Sequence, residues 1–376
     1  MSARAPLRVG FVALTDAAPV IVAHEHGHYA ARGLAVRLVK LASWPALRDA
    51  VLAGELDAAH CLASLPFSVA AGVTGRPGQR LPIAMALSAQ GQAITLSAAL
   101  ADPAFADPAT AGAALAERAA GRRLTLAMTY PGGTHDIWLR YWLMASGIDM
   151  SSLDIIPIPP AQMVANLRGG TMDGFSAGEP WNAVAAEGGA GFTAITTADI
   201  APALPEKALV VNPATLARRP GEVRELVAAT LGCCRLLDDP AARRDVAQVL
   251  GARRYVNAPW PAIERRLLGR YPRGGGLPPE ERVERAVAFH RGGAVNAPRR
   301  AHALWFIAQL RRMGLARGRV DAGRLVADLV LRDLYEEVAR GEGAPVPADD
   351  MAPVTIALDG ARFDPEAPAA AGLRVA

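Results

Sequence analysis

From Leu7 onward, short apolar runs alternate with segments of helical period, and this alternation constrains the fold more than any other feature of the chain. A strand, a helix and a second strand at such short spacing close as right-handed crossovers onto a mainly parallel sheet. Leu7–Val12 reads as a strand. Pro19–Arg32 carries apolar residues at helical spacing and stops at Gly33, a residue suited to the left-handed position after a helix. Ala35–Leu41 is a second strand. Ser43 then caps a helix from Trp44 to Ala53, with Pro45 tolerated in its first turn and Gly54 behind it. A strand at Ala58–Ala63, a helix from Ser64 to Val73 and a strand at Ile83–Ser88 continue the pattern.

A second alternating block follows: strands at Leu124–Tyr130, Ile155–Ile158, Met172–Ala177 and Phe192–Thr196, with helices at Thr134–Ser146, Ala161–Leu167 and Trp181–Ala186 between them. Two extended runs, Gln92–Ser97 and Glu206–Asn212, bracket this block and predict one lobe inserted into another through a two-stranded hinge. A chain of 376 residues is longer than one hydrophobic core usually supports, which agrees with two lobes. Residues 1–91 and 213–342 are assigned to a discontinuous first lobe, completed by helices at Val223–Leu237, Ala241–Leu250, Ala262–Leu268, His302–Arg312 and Ala322–Ala339. Residues 92–212 form the second lobe with its hinge strands, and 343–376 a Pro- and Ala-rich tail on the surface.

Composition narrows the function classes. A mean hydropathy of +0.17 with 20% charged residues excludes a mainly disordered chain. The net charge of +4 favours small anions but is too weak to mark a nucleic-acid surface, so no direct nucleic-acid partner is expected. The three cysteines (Cys61, Cys233, Cys234) form neither a metal spacing nor an even disulfide framework, which fits a reducing compartment. Residues 1–8 carry two arginines, yet Gly10, Thr15, Asp16 and Pro19 interrupt what would be the apolar core of an export signal. No run of about 18 apolar residues occurs anywhere. The expectation is a cytoplasmic protein with no membrane association.

In open parallel sheets, ligands sit beyond the carboxyl ends of strands at helix amino termini. Three turns qualify: Ser43-Trp44, Pro131-Gly132-Gly133-Thr134-His135 and Gly178-Glu179-Pro180-Trp181, the first two meeting across one cleft if the lobes face each other. Gly132 and Gly133 let backbone approach a ligand, Thr134 can cap the helix, and free N–H groups with His135 would hold a small anion without a metal. The Trp44 indole is a donor with no acceptor capacity, and Gln92 lies in the hinge. Lys207 lies in the returning hinge strand, one of only two lysines among 40 basic residues. His24 and His28 share a helical face but lack a third metal ligand, so no metal and no cofactor is assigned. No nucleophile elbow, P-loop or paired-carboxylate arrangement is present, and no enzymatic role is expected.

Several segments carry a family resemblance: Gly10–Pro19, Gly54–His60, Gly91–Leu96, Tyr130–Asp136, Pro160–Asn166, Gly170–Phe175, Gly178–Asn182 and Pro205–Ala208. From Leu7 to Glu342 the chain resembles the nitrate/bicarbonate solute-binding proteins of the NrtA/CmpA type and their cytoplasmic sensor relatives of the NasS type. The resemblance implies an α/β, two-lobed periplasmic-binding-protein-like fold of type II that closes on its ligand. It also implies a pocket for nitrate or nitrite built from Trp44, Gln92, His135 and Lys207, with Gly133 and Thr134 in the adjoining turn. A flat anion that only accepts hydrogen bonds suits donors and one cation, with no carboxylate directed inward. Bicarbonate-binding relatives carry an acidic residue in place of the lysine and are assisted by calcium, so Lys207 points to nitrate or nitrite. The lack of a leader sequence points to a NasS-like sensor that sequesters a NasT-type RNA-binding antiterminator and releases it when ligand closes the lobes. The alternative is the substrate-binding component of a nitrate ABC transporter.

Overall fold

A computed structural model describes residues 5–318 and 320–367. The first sheet joins β1 (Leu7–Val12), β2 (Val36–Leu41), β3 (Ala58–Leu62) and β4 (Ile83–Ala89) with a strand that arrives much later in the chain. The second sheet joins β5 (Gln92–Ser97), β6 (Leu124–Met128), β7 (Leu153–Pro157), β8 (Gly174–Gly178) and β9 (Gly191–Thr196). The late strand is β10 (Pro205–Val211), and the orders are β2-β1-β3-β10-β4 and β7-β6-β8-β5-β9.

The sheets are mainly parallel, as expected, and each is made mixed by one strand that runs against the others. β10 pairs antiparallel with both β3 and β4, and β5 pairs antiparallel with both β8 and β9. The crossovers that close within one lobe keep their parallel pairing, as in β1 with β2 and β3, and β6 with β7 and β8. Only the strands that cross between lobes run against the rest, because each enters its sheet from the opposite side. Both are almost wholly buried, and β10 carries Lys207 to the carboxyl ends of β3 and β4, opposite Leu62 and Ser88.

Other expectations change for local reasons. The single helix read over Pro19–Arg32 is two, Ala18–Glu25 and His28–Ala31, broken where Gly27 takes a φ of 73°. His24 and His28 therefore do not share a helical face, and no metal-binding group of three or more His, Cys, Asp or Glu exists among the described residues. The helix read over Ala322–Ala339 is split into Ala322–Leu329 and Arg332–Gly341, because Val330 turns extended to bridge Ile83 and the Leu331 N–H donates to the Ile83 carbonyl. A helix at Pro108–Ala119, capped by Asp107, went unread because its alanines give no apolar stripe.

The C-terminal part serves both lobes. In the helix Arg300–Arg312, Phe306 stacks on Phe67 of the first lobe (6.4 Å) while Trp305 stacks on Trp138 of the second (5.4 Å). Arg273 donates to the carbonyls of Phe105, Ala106, Thr193 and Ala194, all in the second lobe. The tail does more than run over the surface. Val354–Thr355 pairs with Arg362–Phe363, the Leu358 N–H donates to the Ile200 carbonyl, and Tyr141 Oη donates to the Asp359 carboxylate at 2.9 Å. Residues 368–376 of the expected tail lie outside the described residues. Among the described residues, no helix is long and apolar enough to cross a membrane.

His302, on the bridging helix, is buried, and burial pulls its pKa down to about 3. Its folded pKa lies below the unfolded value near 6.5, so the unfolded chain binds the extra proton first. The stabilising effect of its neutral form is therefore full above pH 6.5 and is lost as the pH falls toward 3. Chemical denaturation should show stability falling by up to about 1.4 kcal/mol per pH unit below 6.5 on this account, and His302→Gln should flatten that slope.

Candidate functional site

The site lies where the carboxyl ends of both sheets meet. Ser43 caps the helix Trp44–Leu52 through its hydroxyl, which accepts from the Ala46 N–H at 3.3 Å, and so fixes Trp44 at the first helical position. Trp44 is fully buried. Its ring meets His135 of the second lobe edge-on at 6.4 Å and His60, in β3, at 5.6 Å. Lys207 Nζ stands 5.9 Å from the centre of the Trp44 ring. The turns that follow β2 and β6 thus meet across the cleft.

The lobes are drawn together around this point by hydrogen bonds. Ser64 Oγ donates to the Gly132 carbonyl and Ser68 Oγ to the Pro131 carbonyl, each at 2.9 Å. Beyond β1, the Thr15 N–H and Oγ1 both donate to the Glu179 carbonyl, and Trp181 Nε1 donates to the Ala13 carbonyl. The third predicted turn therefore closes against the end of β1.

The glycine turn works differently from its sequence reading. The Gly132 N–H donates to the Asp136 carboxylate at 2.8 Å and the Gly133 N–H to the Tyr130 carbonyl, so neither is free to hold an anion. Gly133, not Thr134, occupies the N-cap position of the helix Thr134–Ala145, and Thr134 Oγ1 instead donates to the Glu206 carbonyl. What the glycines supply is space. A Cβ on Gly133 would stand 2.5 Å from Leu62, and Gly132 has a φ of 70°. That close approach lets His135 reach Trp44.

Several buried donors here have no protein acceptor: Trp44 Nε1, Gln92 Nε2 and His135 Nε2. Thr129 Oγ1 and His135 Nδ1 are hydrogen-bonded; with the threonine hydroxyl donating, the ring proton sits on Nε2. Burial, reinforced by the Lys207 charge, holds the His135 pKa well below its ordinary value and keeps the ring neutral. Gln92 is tied in through its backbone, which exchanges hydrogen bonds with the Thr197 hydroxyl at 3.3 Å, and Thr197 also stands beside the Glu206 carboxyl.

The expectation that no carboxylate points inward is corrected. Asp16 Oδ2 lies 2.7 Å from Lys207 Nζ in an ion pair that lacks hydrogen-bond alignment, and His60 Nε2 is 2.9 Å from Asp16 Oδ1. All three side chains are buried. A buried ammonium needs a counter-ion, which is the physical reason for Asp16. Burial opposes its ionisation, but Lys207 and His60 outweigh that and hold its pKa far below the usual carboxylate range. Glu206, next in the chain to Lys207, accepts from Trp138 Nε1 at 2.9 Å, and burial pushes its pKa up to about 7 against the pull of Lys207.

Asp16, His60 and Glu206 were not read as site residues from the sequence. A lone histidine inside the apolar run of β3, and an aspartate just past the end of β1, were the signals available. The assembled buried cluster offers neutral N–H donors and one ammonium, a set suited to a small planar hydrogen-bond acceptor.

The nitrate/nitrite binding protein NrtA of Synechococcus elongatus is 37% identical over 376 residues, covering 96% of this chain and 84% of that protein. The nitrate import ATP-binding protein NrtC of Synechocystis sp. is 32% identical over 96% of this chain, which corresponds to 54% of that longer protein. The crystal structure of the periplasmic nitrate-binding protein NrtA from Synechocystis PCC 6803 superimposes with a TM-score of 0.89 at 32% identity, covering 97% of each chain. The model of the NMT1-like family matches residues 2–251, and the chain belongs to that family.

Proposed function

We propose that this chain binds nitrate or nitrite between its lobes and serves as the substrate-binding component of a nitrate ABC transporter. The observation that carries the reading is the convergence of two unpartnered buried donors, on Trp44 and His135, beside the Lys207 ammonium, with the unpartnered Gln92 amide buried on the neighbouring hinge strand. Similarity to NrtA over nearly the whole chain supplies the ligand, and similarity to NrtC, an import ATP-binding protein, favours transport over sensing. The sensor reading, with its cytoplasmic location and NasT-type partner, depends on the interrupted apolar stretch from Gly10 to Pro19 and the NasS-type resemblance, and the relatives described above are transport and binding proteins. The same relatives support a binding role without catalysis.

Calorimetry with sodium nitrate should give micromolar affinity, about −8 kcal/mol. Trp44→Phe keeps the ring but removes the indole N–H. It should weaken binding by about 1.5–3 kcal/mol, the worth of a buried hydrogen bond to a charged group. Unchanged affinity in that variant would place the anion elsewhere. Transport is tested by adding the protein to a reconstituted nitrate permease and ATPase. Nitrate-dependent stimulation of ATP hydrolysis supports the role, whereas nitrate-released binding of an antiterminator would restore the sensor reading.

A further inference from the structure

The buried charges around the proposed anion position do not balance once an anion is added. Among the described residues Lys207 on β10 is the cation that meets the Trp44 ring, and Asp16 already pairs with it at 2.7 Å. Glu206, also on β10, is a second carboxyl buried beside it. The groups that meet Lys207 from the other elements are uncharged: Trp44 from the helix after β2 and, against Trp44, a neutral His135 from the helix after β6. A monovalent anion would bring a further negative charge among buried groups that already carry no net positive charge.

His60 is placed to resolve this. One ring nitrogen, Nε2, donates to Asp16 Oδ1 at 2.9 Å, and the other, Nδ1, is buried with no partner, in a ring 5.6 Å from that of Trp44. In its neutral form that second nitrogen is a lone pair, the wrong polarity for an anion site. Protonated, the ring becomes a donor on both sides, to Asp16 through Nε2 and to the ligand through Nδ1.

We propose that nitrate is taken up together with one proton from solvent, which lodges on His60 Nδ1 and makes that imidazolium a further ligand to the anion. The proposal rests on the nitrate-binding reading given above. The competing acceptors are each disfavoured by geometry: Asp16 is held between the His60 ring and Lys207, and the Nδ1 of His135 is committed to Thr129. Glu206 is the serious rival, since it adjoins Lys207 and its carboxyl faces Trp138. Burial holds the free His60 ring below its ordinary pKa against the pull of Asp16, so the ring is uncharged at neutral pH until the anion arrives.

Titration of the full chain with sodium nitrate in phosphate, HEPES and Tris buffers at pH 7.5 reads proton uptake from the dependence of the heat on buffer ionisation. The expected result is close to one proton taken up, with affinity falling about tenfold for each pH unit above neutrality. His60→Asn should abolish the uptake and flatten the pH dependence, while Glu206→Gln should leave the uptake in place. The ¹⁵N shift of His60 Nδ1 should move from the imine to the protonated range when nitrate is added, a change no purely structural role produces. Nitrate binding with no proton uptake overturns the inference and leaves the binding reading intact. Uptake lost in Glu206→Gln but retained in His60→Asn overturns the assignment to His60. No nitrate heat from the unmodified protein overturns both.

Discussion

Lys207→Met is expected to abolish measurable nitrate binding and, in the same protein, to lower the stability of the ligand-free fold by about 3–5 kcal/mol. The two losses have different origins. Binding fails because the one ammonium beside the Trp44 ring is gone. Stability falls because Asp16 is left as a buried carboxylate whose remaining partner is His60, and stranding one member of a buried ion pair costs that much. The double variant Lys207→Met, Asp16→Asn separates them: it should recover most of the stability by denaturant titration while binding stays lost. A double variant that regained nitrate affinity would show that the anion is held by the neutral donors alone.

The second large effect belongs to the bridging helix. Trp305→Ala should destabilise the protein by about 3–5 kcal/mol, the usual cost of emptying a well-packed tryptophan site. Trp305 is buried and lies against Trp138, Tyr141 and its neighbour Phe306, which in turn stacks on Phe67. The variant should also weaken nitrate binding. Trp138 holds the Glu206 carboxyl next to Lys207, and a slackened tryptophan stack loosens that arrangement. Denaturation monitored by tryptophan fluorescence, paired with calorimetry, reads both consequences; a loss below about 1 kcal/mol would mean the site collapses and refills.

Much of the fold was legible because both blocks obey local rules. Capping by Ser43, proline in first turns and apolar strand runs place most elements of the first lobe within a residue or two. The failures are non-local. Gly27 looks like an ordinary helical interruption until its left-handed φ is known, and the break at Val330 depends on a bridge to Ile83, far away in sequence. The antiparallel insertion of β10 likewise follows from which lobe it enters, which periodicity does not encode.

The site divides the same way. Trp44, His135 and Lys207 stand out by residue type and turn position, and the structure brings them together. Asp16 and His60 do not stand out, because their significance is electrostatic and arises only once Lys207 is sealed from water. Thr134 and the glycine N–H groups were over-read: their hydrogen bonds are consumed in joining the lobes and closing the turn.

The place of β10 between β3 and β4 has a consequence for how the chain is made. While a ribosome has released only the residues before Pro205, β3 lacks its inner neighbour and β4 has none, so both present bare backbone edges. The five strands from Gln92 to Thr196, by contrast, have all emerged. The lobe that leaves the tunnel first is thus completed last, and nascent chains stalled before Pro205 should be the species most in need of a chaperone.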